Sequence, residues 1–274
     1  QVFGGYAIQA RKGVERAERA RDALQEIPLG GTAVGTGLNR PVAFPRRAIA
    51  YINAALDTAL VEAEDHVEAN AAREGIVEAS GMLRTIAVSL TKIANDVRWL
   101  GSGPRSGLGE LDLPAVQPGS SIMPGKVNPV MAEALILVAA QVIGHDVAIT
   151  LGGLGGYFEL NLMMPLLAYD LLCSIEWLAN GSRAFTDRCV LGIEAREERC
   201  REMVERSLAL VTALAPVIGY DEAADIAKEA HRTGRTVREV AEERGTLSPD
   251  ELDLVLDPYR MTKPGLPDEE IPDD

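Results

Sequence analysis

Two hydroxyls, an ammonium group and a carboxamide lie within nine consecutive residues of this chain. Ser120 and Ser121 supply the hydroxyls, Lys126 the ammonium group and Asn128 the carboxamide. The stretch is rich in residues that bend the backbone and let its N–H groups approach a ligand closely: Pro118, Gly119, Pro124 and Gly125. Polar groups of these types, held on such a loop, could bind an anion and act on it.

The loop leads directly into a long apolar segment that is typical of a buried helix. Asn128 followed by Pro129 predicts an N-cap residue with proline at the first helical position. The positive end of that helix would then favour negative charge at the loop. Taken singly, each residue also has a simple structural interpretation, such as a cap, a turn or a solvated charge. Their combination in this order and spacing favours a functional one.

The stretch from Gly119 to Pro129, GSSIMPGKVNP, is similar to the signature GSSxMPxKxN of the fumarase/aspartase superfamily. The segment from Gly31 to Asn39 resembles the matching part of class II fumarases. The segments from Phe158 to Asn161 and from Gly219 to Lys228 also resemble class II fumarases. Aspartases carry a different stretch at the position of Phe158 to Asn161. The resemblance runs from Gln1 to about Lys263 and implies an all-α, long-helix bundle that assembles as a homotetramer.

The resemblance implies the reversible, cofactor-free hydration of fumarate to (S)-malate, a reaction of the citric acid cycle. Ser120 would be the base that takes the proton bound to carbon next to a carboxylate. An alcohol can do this only where N–H groups and a nearby cation stabilise its alkoxide. The glycine-rich loop, the start of the following helix and Lys126 could supply that stabilisation.

The remaining roles are also implied by the resemblance. Lys126 and Asn128 would bind and polarise the substrate carboxylate, and Ser121 and Val127 would belong to the same binding site. Glu133 would pair with a catalytic histidine of a neighbouring subunit and raise its basicity. No metal or other cofactor is expected.

The sequence departs from the family at its beginning, because its first residue is Gln1 and not Met. A complete class II fumarase also has an N-terminal domain and a first bundle helix, which carry further substrate contacts and a Thr-His catalytic segment. By resemblance this segment ends a little before Gln1. We therefore expect the chain to be inactive alone and to need the missing half-site from a longer gene product or a separate chain.

Two alternatives remain open. Aspartate ammonia-lyase would share Ser120, Lys126 and Asn128, although the Phe158 to Asn161 stretch argues against it. A non-catalytic helical assembly protein, as some lens crystallins of this superfamily are, would keep the bundle without the chemistry. The intact loop argues against this second alternative, and the missing histidine favours it.

Composition supports a helical protein that does not bind nucleic acid. The 274 residues carry a net charge of −14, and only 4% of them are aromatic. The charge disfavours nucleic acids and anionic membranes as partners. The most apolar segment considered, residues 160–178, is interrupted by polar residues, and a cytoplasmic protein with three free cysteines is expected. His66, His145 and His231 are assigned to structure or surface; class II fumarases usually carry Asn at the position of His145.

Periodicity predicts the order of the elements. Helices are expected at about residues 1–25, 46–64, 71–100, 129–151 and 158–184, with a break at 65–70 and loops at 27–45 and 101–119. The helices at 129–151 and 158–184 are apolar nearly all round and should be buried on every side, which one chain of this size cannot provide. The predicted organisation is a helical-bundle domain at 1–195, a small helical domain at 196–264 and an acidic tail at 265–274.

Overall fold

A computed structural model describes residues 1–265, so that most of the predicted acidic tail, residues 266–274, lies outside the described part. The chain divides into two compact units, the first ending at Glu194 and the second beginning at Ala195. The predicted all-α class is confirmed, since helices form both units.

Four long helices build the first unit, with two shorter helices beside them. In chain order they are α1 (Val2–Ala23), α2 (Phe44–Leu56), α3 (His66–Ala71), α4 (Glu74–Leu100), α5 (Val130–Gly153) and α6 (Met164–Arg188), followed by a 3-10 helix at Val190–Gly192. Helix α4 packs against α1, α5 and α6, and α5 packs against α6. The core between these helices is aliphatic, with Leu83, Ala87, Val142, Ile149 and Leu167 among its buried residues.

Six strands of two residues each lie in the connections. They are β1 (Glu26–Ile27), β2 (Val61–Glu62), β3 (Leu111–Asp112), β4 (Gly156–Tyr157), β5 (Leu160–Asn161) and β6 (Glu194–Ala195). Strands β1 and β2 pair in parallel with Glu26 opposite Val61. Strands β4 and β5 form an antiparallel hairpin with Gly156 opposite Asn161.

The second unit, as far as residue 265, contains five short helices around its own core. They are α7 (Glu197–Glu205), α8 (Val211–Ile218), α9 (Tyr220–Thr233), α10 (Val237–Arg244) and α11 (Pro249–Val255), with 3-10 helices at Leu208–Leu210 and Arg260–Thr262. Capping boxes begin α10 and α11, at Thr236 with Glu239 and at Ser248 with Glu251. Leu214, Ile226 and Val240 are fully buried in the core.

The predicted helix at 46–64 was too long, because α2 ends at Leu56. Asp57 takes a left-handed conformation with φ of 51° and stops the helix. The side chain of Asn53 then holds the returning chain: its Nδ2 donates to the carbonyl of Leu60 at 2.8 Å, and its Oδ1 accepts from the Leu60 N–H at 2.9 Å. Hydrogen bonds between Asn53 and Leu60 therefore take the place of the last two turns that were expected of this helix.

The predicted break at residues 65–70 was wrong, because α3 occupies most of it. Asp65 caps this helix, since its Oδ1 accepts from the N–H groups of Val67 at 2.7 Å and Glu68 at 3.0 Å. The prediction missed a helix of only six residues because so short a segment has almost no periodicity.

The predicted start of the next helix at Phe158 was also wrong, because α6 begins at Met164. The preceding residues form the β4–β5 hairpin, in which Phe158 has a positive φ of 54°. The buried side chain of Asn161 fixes the hairpin by donating to the carbonyls of Gly152 at 3.1 Å and Ala71 at 3.3 Å. These contacts set the entry of the chain into α6.

Helix α5 buries one side within the chain and leaves another apolar side uncovered. Leu137, Val147 and Leu151 are 71%, 59% and 58% exposed, so the predicted burial on every side does not occur within one copy of the chain. Among the described helices, α5 is the one that by length and composition could cross a membrane, a test that a core helix of a soluble protein also passes. This segment, rather than residues 160–178, is therefore the nearest approach to a membrane span among the described helices.

Candidate active site

The signature loop is closed at its base by two hydrogen bonds. The N–H of Gly119 donates to the carbonyl of Lys126 at 2.9 Å. The side-chain Nδ2 of Asn128 donates to the carbonyl of Gly119 at 2.7 Å. A Cβ added to Gly119 would lie 2.3 Å from the Lys126 oxygen. The base can therefore close in this way only with glycine at this position.

Ser120 lies inside the closed loop, and two backbone N–H groups point at its hydroxyl oxygen. The N–H groups of Ile122 and Met123 donate to its Oγ at 3.1 and 3.0 Å. Two N–H donors fixed by the backbone stabilise negative charge on the hydroxyl oxygen that accepts from them. The local backbone thus provides part of the stabilisation that a serine base requires.

The helix after the loop begins one residue later than predicted. Pro129 is the N-cap residue of α5, with ψ of 57°, and the first helical residue is Val130. Asn128 is therefore not the cap, and its amide is used to close the loop instead. The prediction was wrong because the cap pattern is local, whereas the partner of Asn128 lies nine residues earlier.

The other predicted site residues lie in the loop or just beyond it. Ser121, Lys126 and Val127 are exposed, and Glu133 is half-buried in the first turn of α5. Ser120, Lys126 and Val127 line a common open cavity of about 450 Å³ together with residues 115–119. Ser121, Asn128 and Glu133 are not part of that lining. The structure therefore brings the predicted base and the predicted cation to one cavity.

The three histidines are not among the residues that line this cavity. His145 is buried and its Nδ1 lies 3.1 Å from the hydroxyl of Ser174, His66 lies at the start of α3 beside Glu62, and His231 is exposed on α9. Within residues 1–265, histidine, cysteine and carboxylate side chains do not gather in groups of three that could hold a metal ion. Cys173, Cys189 and Cys200 are free thiols, and burial raises the pKa of Cys189.

Sequence reasoning missed the structural roles of Gly119, which closes the loop, and of Asn161, which fixes the β4–β5 hairpin after the far end of α5. It treated Gly119 only as a flexible residue, and it used Asn161 only as part of a family pattern. Asn161 is buried and also accepts from the N–H of Met163 at 2.8 Å. The position of Asn161 shortly before the proline at the start of α6 is a weak local indication of its role. No neighbouring residue indicates that Gly119 closely approaches the carbonyl of Lys126.

Two families match the chain over separate parts of its length. The family described as Lyase matches residues 1–144, which is just over half of the chain. The family described as Fumarase C C-terminus matches residues 210–263.

Curated relatives of about 50% identity are named as fumarate hydratases. The class II fumarate hydratase of Mesorhizobium japonicum is 51% identical over 265 residues, which are 97% of this chain and 57% of the relative. The class II fumarate hydratase of Mycobacterium tuberculosis is 52% identical over 270 residues, which are 96% of this chain and 56% of the relative. The chain thus spans little more than half the length of these relatives.

Solved structures of similar proteins have the same fold. A fumarate lyase:delta crystallin from Brucella melitensis bound to cobalt has a TM-score of 0.91 at 47% identity, over 96% of this chain and 57% of that one. A class II fumarase from Schistosoma mansoni has a TM-score of 0.88 at 35% identity, over 95% of this chain and 58% of that one. With the family match over residues 1–144, these likenesses show that the chain belongs to the lyase family, as a homologue of the class II fumarate hydratases.

Proposed function

We propose that this chain supplies the serine-loop half of a class II fumarate hydratase site, which interconverts fumarate and (S)-malate. The observation that carries the proposal is the pair of N–H bonds from Ile122 and Met123 to the Oγ of Ser120. The names of the relatives support the same reaction. The substrate would be a small dicarboxylate.

In the dehydration direction, Ser120 as an alkoxide takes the proton from the malate carbon next to a carboxylate. The electron pair of that C–H bond then moves toward the carboxylate and converts that group into a dianionic aci-carboxylate, which fixed positive groups must stabilise. The electron pair next forms the carbon–carbon double bond as the C–OH bond breaks, and the hydroxide leaves as water with a proton from an acid in the other half of the site. Lys126 lines the same cavity as Ser120 and would bind this carboxylate. In the hydration direction the Ser120 hydroxyl returns the proton to carbon.

Ser121, Val127 and Asn128 would complete the substrate contacts. Asn128 would hold a carboxylate through its Nδ2 while keeping its bond to the Gly119 carbonyl. Its second amide hydrogen leaves it able to do both. Glu133 would orient and polarise a histidine supplied by another subunit.

A homotetramer is part of the proposal, and the uncovered apolar side of α5 supports it. Leu137, Val147 and Leu151 lie on that side, and burying such a surface against a second copy would be favourable. The proposed helical core would also bring the neighbour's histidine toward Glu133. A cytoplasmic location stays a prediction.

The test is complementation. The chain is mixed with, or fused to, the N-terminal part of the Mesorhizobium japonicum relative that precedes the region it matches, and fumarate turnover is followed by loss of absorbance. We expect turnover from the combination and none from the chain alone. Turnover by the chain alone, or ammonia addition to fumarate in place of hydration, would overturn the proposal.

A further inference from the structure

A polar cluster that the proposed reaction does not use lies buried between α5 and α6. His145 of α5 and Asp170 and Ser174 of α6 are only 8%, 9% and 2% exposed. The ring of Trp177 lies 5.1 Å from the imidazole ring of His145, measured between centroids. Buried groups of this kind must satisfy one another, because water is not available to do so.

The hydroxyl of Ser174 determines which nitrogen of His145 carries a hydrogen. Ser174 Oγ lies 2.6 Å from the carbonyl oxygen of Asp170. Two oxygens approach so closely only with a hydrogen between them, and the single hydroxyl hydrogen must therefore point at that carbonyl. The contact of 3.1 Å between Ser174 Oγ and His145 Nδ1 then requires Nδ1 to be the donor.

The other ring nitrogen faces a carboxylate. His145 Nε2 lies 3.8 Å from Asp170 Oδ1, within ion-pair distance. If Nδ1 carries the hydrogen of a neutral ring, Nε2 presents a lone pair to a buried negative charge, which is unfavourable. A second proton on Nε2 converts this repulsion into an ion pair.

The other charged and titratable groups around the cluster have partners of their own. The carboxylate of Asp146, next to His145 on α5, accepts from Arg84 Nη1 and Ser80 Oγ of α4, both at 2.8 Å. On α6, Tyr169 interacts with Cys173, and their proximity raises the pKa of Tyr169. Glu176 is exposed. His145 is therefore the group placed to neutralise Asp170.

We propose that His145 and Asp170 form a buried proton-binding site, in which one proton on Nε2 joins α5 to α6. A proton bound at this site in the folded chain alone would link the packing of the two helices to pH.

The first test reads the protons directly, by NMR of the chain labelled with ¹⁵N at its histidine rings. At about pH 7.5 a free imidazole is mostly neutral. We expect both ring nitrogens of His145 to carry hydrogen, with the His145→Asn variant identifying its signals and the exposed His231 as the internal reference. A His145 ring with hydrogen on a single nitrogen would overturn the proposal.

Two matched variants of α6 test whether Asp170 is the partner of His145. Asp170→Asn keeps the shape of the side chain and removes its charge, and its amide can donate to Nε2, so His145 should keep only the hydrogen on Nδ1. Glu176→Gln removes an exposed charge from the same helix and should leave both hydrogens in place. Retention of both hydrogens in Asp170→Asn would overturn the assignment of Asp170.

The second test measures how the folding stability of the chain depends on pH. Because the folded state binds one more proton than the unfolded state, the folding equilibrium constant must fall as pH rises, by up to about tenfold per pH unit. Comparing the chain with His145→Asn between about pH 7 and 8.5 isolates this slope, since ionisations common to both chains cancel. Parallel stability curves would contradict the proposal.

Discussion

The side-chain amide of Asn128 donates to the carbonyl oxygen of Gly119 and ties the two ends of the signature loop together across 2.7 Å. The backbone bond from Gly119 to Lys126 lies beside it. Ser120, directly after Gly119, receives two N–H bonds inside the loop. The geometry around the proposed base therefore depends on a closure made by residues at the ends of the loop.

Replacing Gly119 with alanine should open this closure. The added Cβ would lie 2.3 Å from the carbonyl oxygen of Lys126 and 2.9 Å from the backbone nitrogen of Asn128, so the backbone must move apart. In the complemented enzyme, we expect turnover to fall by about tenfold or more, because misplacement of a catalytic group by an ångström is costly. Steady-state kinetics measure this effect.

The control for that variant is Gly5→Ala. Gly5 lies in α1, and an added Cβ there meets nothing within 4 Å. Alanine is also the better helix former, so turnover should be unchanged. Equal turnover in Gly119→Ala and Gly5→Ala, with unaltered circular dichroism in both, would show that the closure is dispensable.

Replacing Ser120 with alanine should abolish the proton transfer at carbon. Loss of an acid–base group typically costs about 10²–10⁴-fold in rate, so we expect the complemented enzyme to lose at least about a hundredfold in kcat. The matched control is Ser106→Ala, which removes an exposed hydroxyl outside the loop. A Ser120→Ala enzyme as active as the Ser106→Ala enzyme would exclude Ser120 as the base.

The long helices could be predicted because their evidence is local and repeated. In α4 the apolar residues recur in steps of three and four, and Leu83, Ile93 and Val97 of that series are buried as expected. The capping boxes at Thr236 and Ser248 were predictable for the same reason, since all their atoms lie within one helical turn.

The contacts that shape the site could not be predicted in this way. Asn128 reaches a carbonyl nine residues away. Which backbone group lies opposite such a side chain depends on how the loop folds. The sequence therefore predicted residues for the candidate site but not the bonds that hold them.

Replacing Tyr6 with phenylalanine should weaken the attachment of α1 to α4. The Tyr6 hydroxyl donates to Asp96 Oδ2 at 2.7 Å, and Lys92 pairs with the same carboxylate. Loss of one hydrogen bond to a charged acceptor should lower the free energy of unfolding at about pH 7 by about 1.5–3 kcal/mol. Urea unfolding followed by circular dichroism measures this change.

The same pair predicts a dependence on alkaline pH. Burial and the Asp96 carboxylate raise the pKa of Tyr6 from 10.0 to about 12. Between these two values the folded chain keeps a proton that the unfolded chain loses, so the stability contributed by Tyr6 is complete below about pH 10 and falls as pH rises to about 12. The Tyr6→Phe variant should lack this part of the decline, and curves of equal slope would contradict the assignment.

Replacing Asn161 should destabilise the junction between α5 and α6. Its amide donates to the carbonyls of Gly152 and Ala71, and its oxygen accepts from the N–H of Met163. Asn161→Ala would remove the partner of the Ala71 carbonyl and of the Met163 N–H, whereas the Gly152 carbonyl keeps its bond from the N–H of Gly155. The expected cost is about 1–3 kcal/mol for each group left unsatisfied away from water. Thermal and urea unfolding of the chain measure the loss.

Asn161→Asp separates the contribution of the donor from that of the acceptor. Aspartate keeps an oxygen for Met163 but turns a second oxygen toward the carbonyls of Gly152 and Ala71, which only a donor can satisfy. A buried charge facing two carbonyl oxygens should cost at least as much as the truncation to alanine. If Asn161→Asp were as stable as the unmodified chain, the bonds donated by the Asn161 amide would not hold the junction. The apolar contacts of Met163 and Leu167 would then have to fix the start of α6.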